Sequence, residues 1–196
     1  RLKEVSRAEL LAMNQNAEGA AVELADAEVD IVLYACLVAV MVEGPGAHRQ
    51  SEARLAQALE RAGSHAPVVT SAGALVDTLH QLNAERIAMV APYMPALTRK
   101  VSSYLANEDI EAVAPHSLSV SNNSAVGRLN PADLVDIADT LPKDVDAIVL
   151  SACVQMPSLE AINMVEDKIG VPVISAATAT LYQALRRLGL NPSIHE

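Results

Sequence analysis

The chain has 196 residues, of which 51% are apolar, and it carries a formal net charge of −10 at pH 7. A phosphate backbone demands a basic surface, and the only basic groupings are short pairs such as Arg99-Lys100 and Arg186-Arg187, so the composition argues against a nucleic-acid binder. No run of about 18 apolar residues exists to span a membrane, and "RLKEVSRAEL" at the start lacks the pattern of a secretory signal, so a cytoplasmic protein is expected.

In chain order, Ser6 with Glu9 three residues on predicts the start of a long first helix, whose apolar repeat runs through Leu10, Leu11, Ala17, Ala21 and Leu24. "VDIVLYA" then reads as a strand covered on both faces. "GPGAHRQ" breaks the chain before a helix over about 49–62, "PVVT" is a strand and "SAGALVDTLHQL" a helix. The alternation restarts with "RIAMVAP" as a strand, a helix over about 95–107, "EAVAPHSL" as a strand and a polar loop "SVSNNSAVGRLN". Next come the Pro-started helix "PADLVDIADTL", the strand "VDAIVLSA", the helix "SLEAINMVEDKI", the strand "VPVISA" and a closing helix "ATATLYQALRRLG". Alternating strands and helices predict an α/β fold with doubly wound parallel sheets, because parallel strands need crossovers. With neither Phe nor Trp, its core must be aliphatic.

The second half of the chain echoes the first. "DIVLYACLVAVM" at 30–41 corresponds to "DAIVLSACVQMP" at 146–157, and "PVVTSAGALVDTLHQL" corresponds to "PVISAATATLYQALRRL". This internal duplication predicts two pseudo-symmetric lobes, the first over 1–84 and the second over 85–175, with a C-terminal helix over 176–196 packing back on the first. Ligands of such sheets sit beyond the carboxyl ends of the strands, so the repeat aims Cys36 and Cys153 at one cleft. A cysteine that ends a strand and turns into a helix meets free backbone N–H groups, which favour its thiolate. The amides of Leu37, Val38, Val154 and Gln155 are expected to cradle a carboxylate or a developing oxyanion, which reconciles an acidic chain with an anionic ligand. Tyr93 in "APYMP" and the Asn122-Asn123 pair are expected near the same cleft, where a phenol and a carboxamide can orient a carboxylate. Each of these features alone is equally at home in packing or turn chemistry, and a lone cysteine is most often a small buried hydrophobe. The five histidines (His48, His65, His80, His116, His195) are scattered and neither cysteine has a neighbour at ligand spacing, so no metal site is expected.

On the cysteine repeat together with "VAPYMP" and "SACVQMPSL", the sequence resembles the aspartate/glutamate racemase superfamily over essentially its whole length, and within it the maleate cis-trans isomerase branch. Amino-acid and hydantoin racemases share the paired cysteines, while arylmalonate decarboxylase relatives keep one of them. The resemblance implies conversion of maleate, a small dicarboxylate, to fumarate without a cofactor and without a metal. It implies that Cys36 adds to an alkene carbon to form a succinyl-cysteine, that Cys153 supplies and retrieves a proton, and that Tyr93, Asn123 and the backbone groups at Leu37, Val38, Val154 and Gln155 bind substrate. It also implies a homodimer.

Members of this family open with a further strand bearing a Pro-Ser-Ser-Asn-like segment, whose Asn helps hold a substrate carboxylate. This chain begins directly on its first helix, so it is expected to be a fragment or to have lost its N-terminus, leaving the first lobe without a strand beside that of Cys36. Two other readings stay open on the residues: a two-thiol racemase working as opposed acid and base, and a non-catalytic binding module of the same fold.

Overall fold

The computed structural model describes residues 6–192. The first helix, α1 (Arg7–Ala25), starts where the capping pattern places it, with the Ser6 hydroxyl accepting from the Glu9 N–H at 3.4 Å. Leu10 and Ala21 turn into the core, but Leu24 is 41% exposed and does not belong to it. The first half continues with β1 (Val32–Tyr34), the short α2 (Leu37–Met41), α3 (Ala47–Arg61), β2 (Val68–Thr70) and α4 (Ser71–Gln81). The second half comprises β3 (Arg86–Ala91), α5 (Pro95–Ala106), β4 (Glu111–Ser117), α6 (Asn123–Val126), α7 (Ala132–Asp139), β5 (Ala147–Ser151), α8 (Leu159–Ile169), β6 (Val173–Ser175) and α9 (Ala176–Arg187).

Every strand pair is parallel, in two sheets: β1 with β2, and β4-β3-β5-β6. In the larger sheet the chain moves outward from β3 to β4 and then returns to the other side of β3 with β5, so the strand order reverses between β3 and β5. A crevice opens outside the carboxyl ends of strands at such a switch point. Tyr93 follows β3 and Cys153 follows β5.

Two expectations need correction. The first cysteine strand is three residues long, and it is not covered on both faces: Leu33 is 39% exposed, and among the described residues β1 pairs with β2 alone. The stretch expected as a polar loop contains a turn of helix, α6, because Asn122 caps it by accepting from the Ala125 N–H at 3.0 Å.

The sequence repeat has a direct structural counterpart. In β2–α4 and β6–α9 the strand runs into its helix without a loop, and the strand's last residue is the cap: Thr70 accepts from Gly73 N–H, and Ser175 accepts from Thr178 N–H. The two helices lie against each other, joined by Gln183 Nε2 donating to Thr78 Oγ1 at 3.0 Å. Their buried face, with Leu75, Leu79, Ala176 and Ala179, joins the main aliphatic core that also takes in α2 and strand residues Ile87, Met89, Ala147 and Val149. A second core fills the opposite side of the large sheet around Ile148, Leu150 and Val165.

Candidate active site

Cys36 is the N-cap of α2, at the turn that follows β1. All five residues of α2 are buried, as expected of a helix apolar on every side. Burial raises the pKa of the thiol, which makes no cap hydrogen bond; the nearby Ala39 N–H pulls weakly the other way and Cys153 adds repulsion, so the pKa is pushed up to about 11. Behind the loop, Ser71 donates its hydroxyl to the Tyr34 carbonyl at 3.2 Å, tying β1 to the start of α4.

Cys153 is set differently. It follows β5 in a non-helical turn, and α8 begins only at Leu159. Ser151 pins the turn, its hydroxyl donating to the Cys153 carbonyl at 2.7 Å and accepting from the Cys153 N–H at 3.3 Å. Burial raises this thiol's pKa as well, opposed by the Tyr93 hydroxyl and by the Gln155 and Met156 amides. Tyr93 is 3% exposed and donates to the Ala152 carbonyl at 2.9 Å, and burial holds its own pKa well above the usual phenol value. It therefore stays protonated, with its one proton on the Ala152 carbonyl, and lies near enough to the Cys153 sulfur to favour that sulfur's negative form.

The structure brings Cys36, Leu37, Val38, Tyr93, Asn123, Cys153, Val154 and Gln155 around one cleft with about 410 Å³ of empty space, open solvent at its mouth included. Much of that space is open solvent, so the enclosed part has room for a small molecule only. The Asn122-Asn123 pair is divided between two tasks: Asn122 caps α6, and Asn123 faces the cleft and accepts from Gln155 Nε2 through its carbonyl at 2.8 Å. Gln155 also lies against Gly127, where an added Cβ would sit 3.4 Å from its Nε2, so α6 closes down on the Cys153 turn.

Neither thiol is biased toward thiolate, contrary to expectation. The reason is geometric: a five-residue helix offers little dipole, Cys153 has no helix directly after it, and desolvation outweighs one or two amides. The amides that address the sulfurs are also not all the ones read from sequence. Ala39 serves Cys36, and Met156 joins Gln155 at Cys153. Ala35 and Val126 complete the lining and carry no sequence signal.

The histidines take no part in the cleft. His48 is buried against Tyr104, whose hydroxyl meets its Nδ1 at 2.5 Å, and burial lowers its pKa; His195 lies outside the described residues. No cluster of three or more His, Cys, Asp or Glu able to hold a metal occurs among the described residues.

Two cysteines converging on the switch-point crevice of a parallel α/β fold define the class: an enzyme with the racemase-type fold shared by maleate isomerases and arylmalonate decarboxylases. A family model described as arylmalonate decarboxylase matches residues 2–195. A maleate isomerase from Geobacillus stearothermophilus is 48% identical over 191 residues, covering 97% of this chain and 76% of that protein. Among solved structures, a Cys-to-Ala variant of the maleate isomerase Iso from Pseudomonas putida S16 with maleate superimposes with a TM-score of 0.95 at 46% identity, covering 97% of this chain and 76% of that one. A Cys-to-Ser mutant of Nocardia farcinica maleate cis-trans isomerase with a covalently bound succinylcysteine intermediate gives a TM-score of 0.94 at 45% identity, covering 97% and 78%. The chain belongs to the arylmalonate decarboxylase family and, within it, to the maleate isomerases.

Proposed function

We propose that this protein converts maleate to fumarate through a succinyl-cysteine formed on Cys36. The carrying observation is that two thiols face one small cleft with unlike surroundings, one at the start of a buried helix and the other against a protonated phenol. Likeness to a maleate isomerase that carries a covalent succinylcysteine supports the same route.

As thiolate, Cys36 adds to one alkene carbon, and the electron pair of the π bond becomes a carbanion next to the far carboxylate. Cys153 gives that carbon its proton. The former double bond is now a single bond and rotates. The Cys153 thiolate takes a proton back from the same carbon, the pair re-forms the π bond, and the Cys36 thiolate leaves from the trans arrangement. One prohibitive twist is replaced by two feasible steps, and atoms and charge balance with the chain's own groups.

Tyr93 donates to Cys153 when its sulfur is negative, and Asn123 with the amides of Leu37, Val38, Val154 and Gln155 receives the two substrate carboxylates. Among the described residues no carboxylate lines the cleft to pair with a substrate ammonium, which supports a diacid over an amino acid. The lobes we assign are 1–84 and 85–175, with 176–196 returning to the first; the tie between Gln183 and Thr78 supports that return. The unpaired state of both cysteines supports a reducing, cytoplasmic setting, and the exposed Leu159, Met164 and Leu181 support a homodimer. Proton NMR of maleate incubated with the protein tests the reading: a growing fumarate signal is expected, and its absence from folded protein overturns it.

A further inference from the structure

Asn14 lies in the middle of α1, is 4% exposed, and uses every polar atom of its side chain. Its Oδ1 accepts from the Tyr34 hydroxyl, which sets the orientation of the amide. Its Nδ2 donates to the Ala39 carbonyl at 2.6 Å and to Glu43 Oε1 at 2.8 Å. The Ala39 carbonyl has need of that donor. In a longer helix the Glu43 N–H would reach it, but α2 stops at Met41 and the Glu43 N–H bonds the Val40 carbonyl instead, at 3.1 Å. Ala39 stands in the first turn of the helix that Cys36 opens, where the next N–H, from Val40, bonds the Cys36 carbonyl at 3.4 Å. A buried asparagine on a separate helix thus holds the turn that carries the thiol.

We propose that Asn14 is a positioning residue for Cys36: by gripping the Ala39 carbonyl it fixes the first turn of α2 and with it the residue that opens that helix. Tyr34 is the outer end of the same relay, since its hydroxyl orients the Asn14 amide. The titratable groups that bear on Cys36 are Cys153, Tyr34 and Tyr93, and Glu43 with its partner Arg54 flanks Asn14. The identification of Cys36 as the reactive thiol rests on the proposed function. The geometric claim is tested without maleate.

The experiment is the rate of iodoacetamide alkylation at each cysteine, resolved by peptide mass spectrometry from about pH 7 to about pH 10, in wild type, Asn14→Leu and Tyr34→Phe. In Asn14→Leu the Cys36 rate should fall about fivefold to tenfold at every pH in that range, while the Cys153 rate holds, because only the turn that presents Cys36 loses its anchor. Tyr34→Phe should move Cys36 in the same direction by a smaller factor. With maleate, kcat should fall about tenfold in Asn14→Leu while KM changes less than about threefold. The double variant Asn14→Leu with Tyr34→Phe, which no longer orphans the phenol, should recover thermal stability without recovering the Cys36 rate. An unchanged Cys36 rate in folded Asn14→Leu, or equal slowing of both thiols, overturns the proposal. Should Asn14→Leu not fold, Tyr34→Phe decides: a selective slowing of Cys36 supports it and none overturns it. A wild type that makes no fumarate while Asn14→Leu still slows Cys36 alone would count against the isomerase reading only.

Discussion

The turn after β1 and the turn after β5 each end a parallel strand on a cysteine, yet the structure gives the two sulfurs different neighbours. Cys36 has one amide, from Ala39, and opens a helix buried on all sides; Cys153 has a phenol and two amides and sits in a turn pinned by Ser151. The sulfur with fewer donors is the better candidate for bonding carbon, because its negative charge is least dissipated when it forms. The sulfur with a phenol at hand is better suited to holding and returning a proton, since Tyr93 stabilises it whenever it is charged. A duplicated strand-and-cysteine unit has thus been differentiated by what was packed around it.

Replacement of the cysteines breaks that asymmetry most severely. Cys36→Ala should lose at least about 10⁴-fold in fumarate formation and show no adduct by intact mass. Cys153→Ala should be nearly as slow but accumulate a succinyl adduct at Cys36; an adduct in the first variant and not the second would reverse the two roles. Tyr93→Phe should come next, lowering kcat by about tenfold to a hundredfold while leaving alkylation of Cys36 near its wild-type rate, because the hydroxyl serves Cys153.

The ionisation of Cys36 offers a finer test. Its folded pKa is raised, so the neutral thiol persists as pH rises past the ordinary thiol value. Alkylation of Cys36 should therefore keep climbing about tenfold per pH unit beyond pH 9 and level off only toward about 11, in contrast to an ordinary exposed thiol. A plateau near pH 8.5 would show that the amide outweighs burial after all. The smallest effect is expected for Gln155→Ala, which releases the Asn123 carbonyl and loosens α6: KM should rise by about threefold to tenfold, with a smaller loss in kcat.

Much of this was legible in the residues. Strict alternation of short β-branched runs with helical repeats dictates parallel sheets, and the Ser6 cap sits where short-range pattern places it, whereas the Thr70 and Ser175 caps are seen only in the structure. The repeat also announces two equivalent strand ends carrying thiols. Local pattern is weaker for elements held by tertiary contact. Helix α6 lies in a stretch rich in Ser and Asn, and its position over the cleft depends on Gln155, 32 residues away in sequence from Asn123. Leu24 and Leu33 have core chemistry but remain exposed, since nothing among the described residues covers them.

Residue types and their periodicity settle the fold class, the duplication and the presence of two thiols, because backbone geometry at 2.0 and 3.6 residues per turn is a local property. Sequence patterning has no means of settling which sulfur does what. That depends on burial and on donors arriving from elsewhere in the chain: Tyr93 from β3, Ala39 held by Asn14 from α1, and the desolvation that pushes both thiols up against the pull of their amides. These are sums over a three-dimensional neighbourhood, and they come into being only when the chain has folded around one cleft.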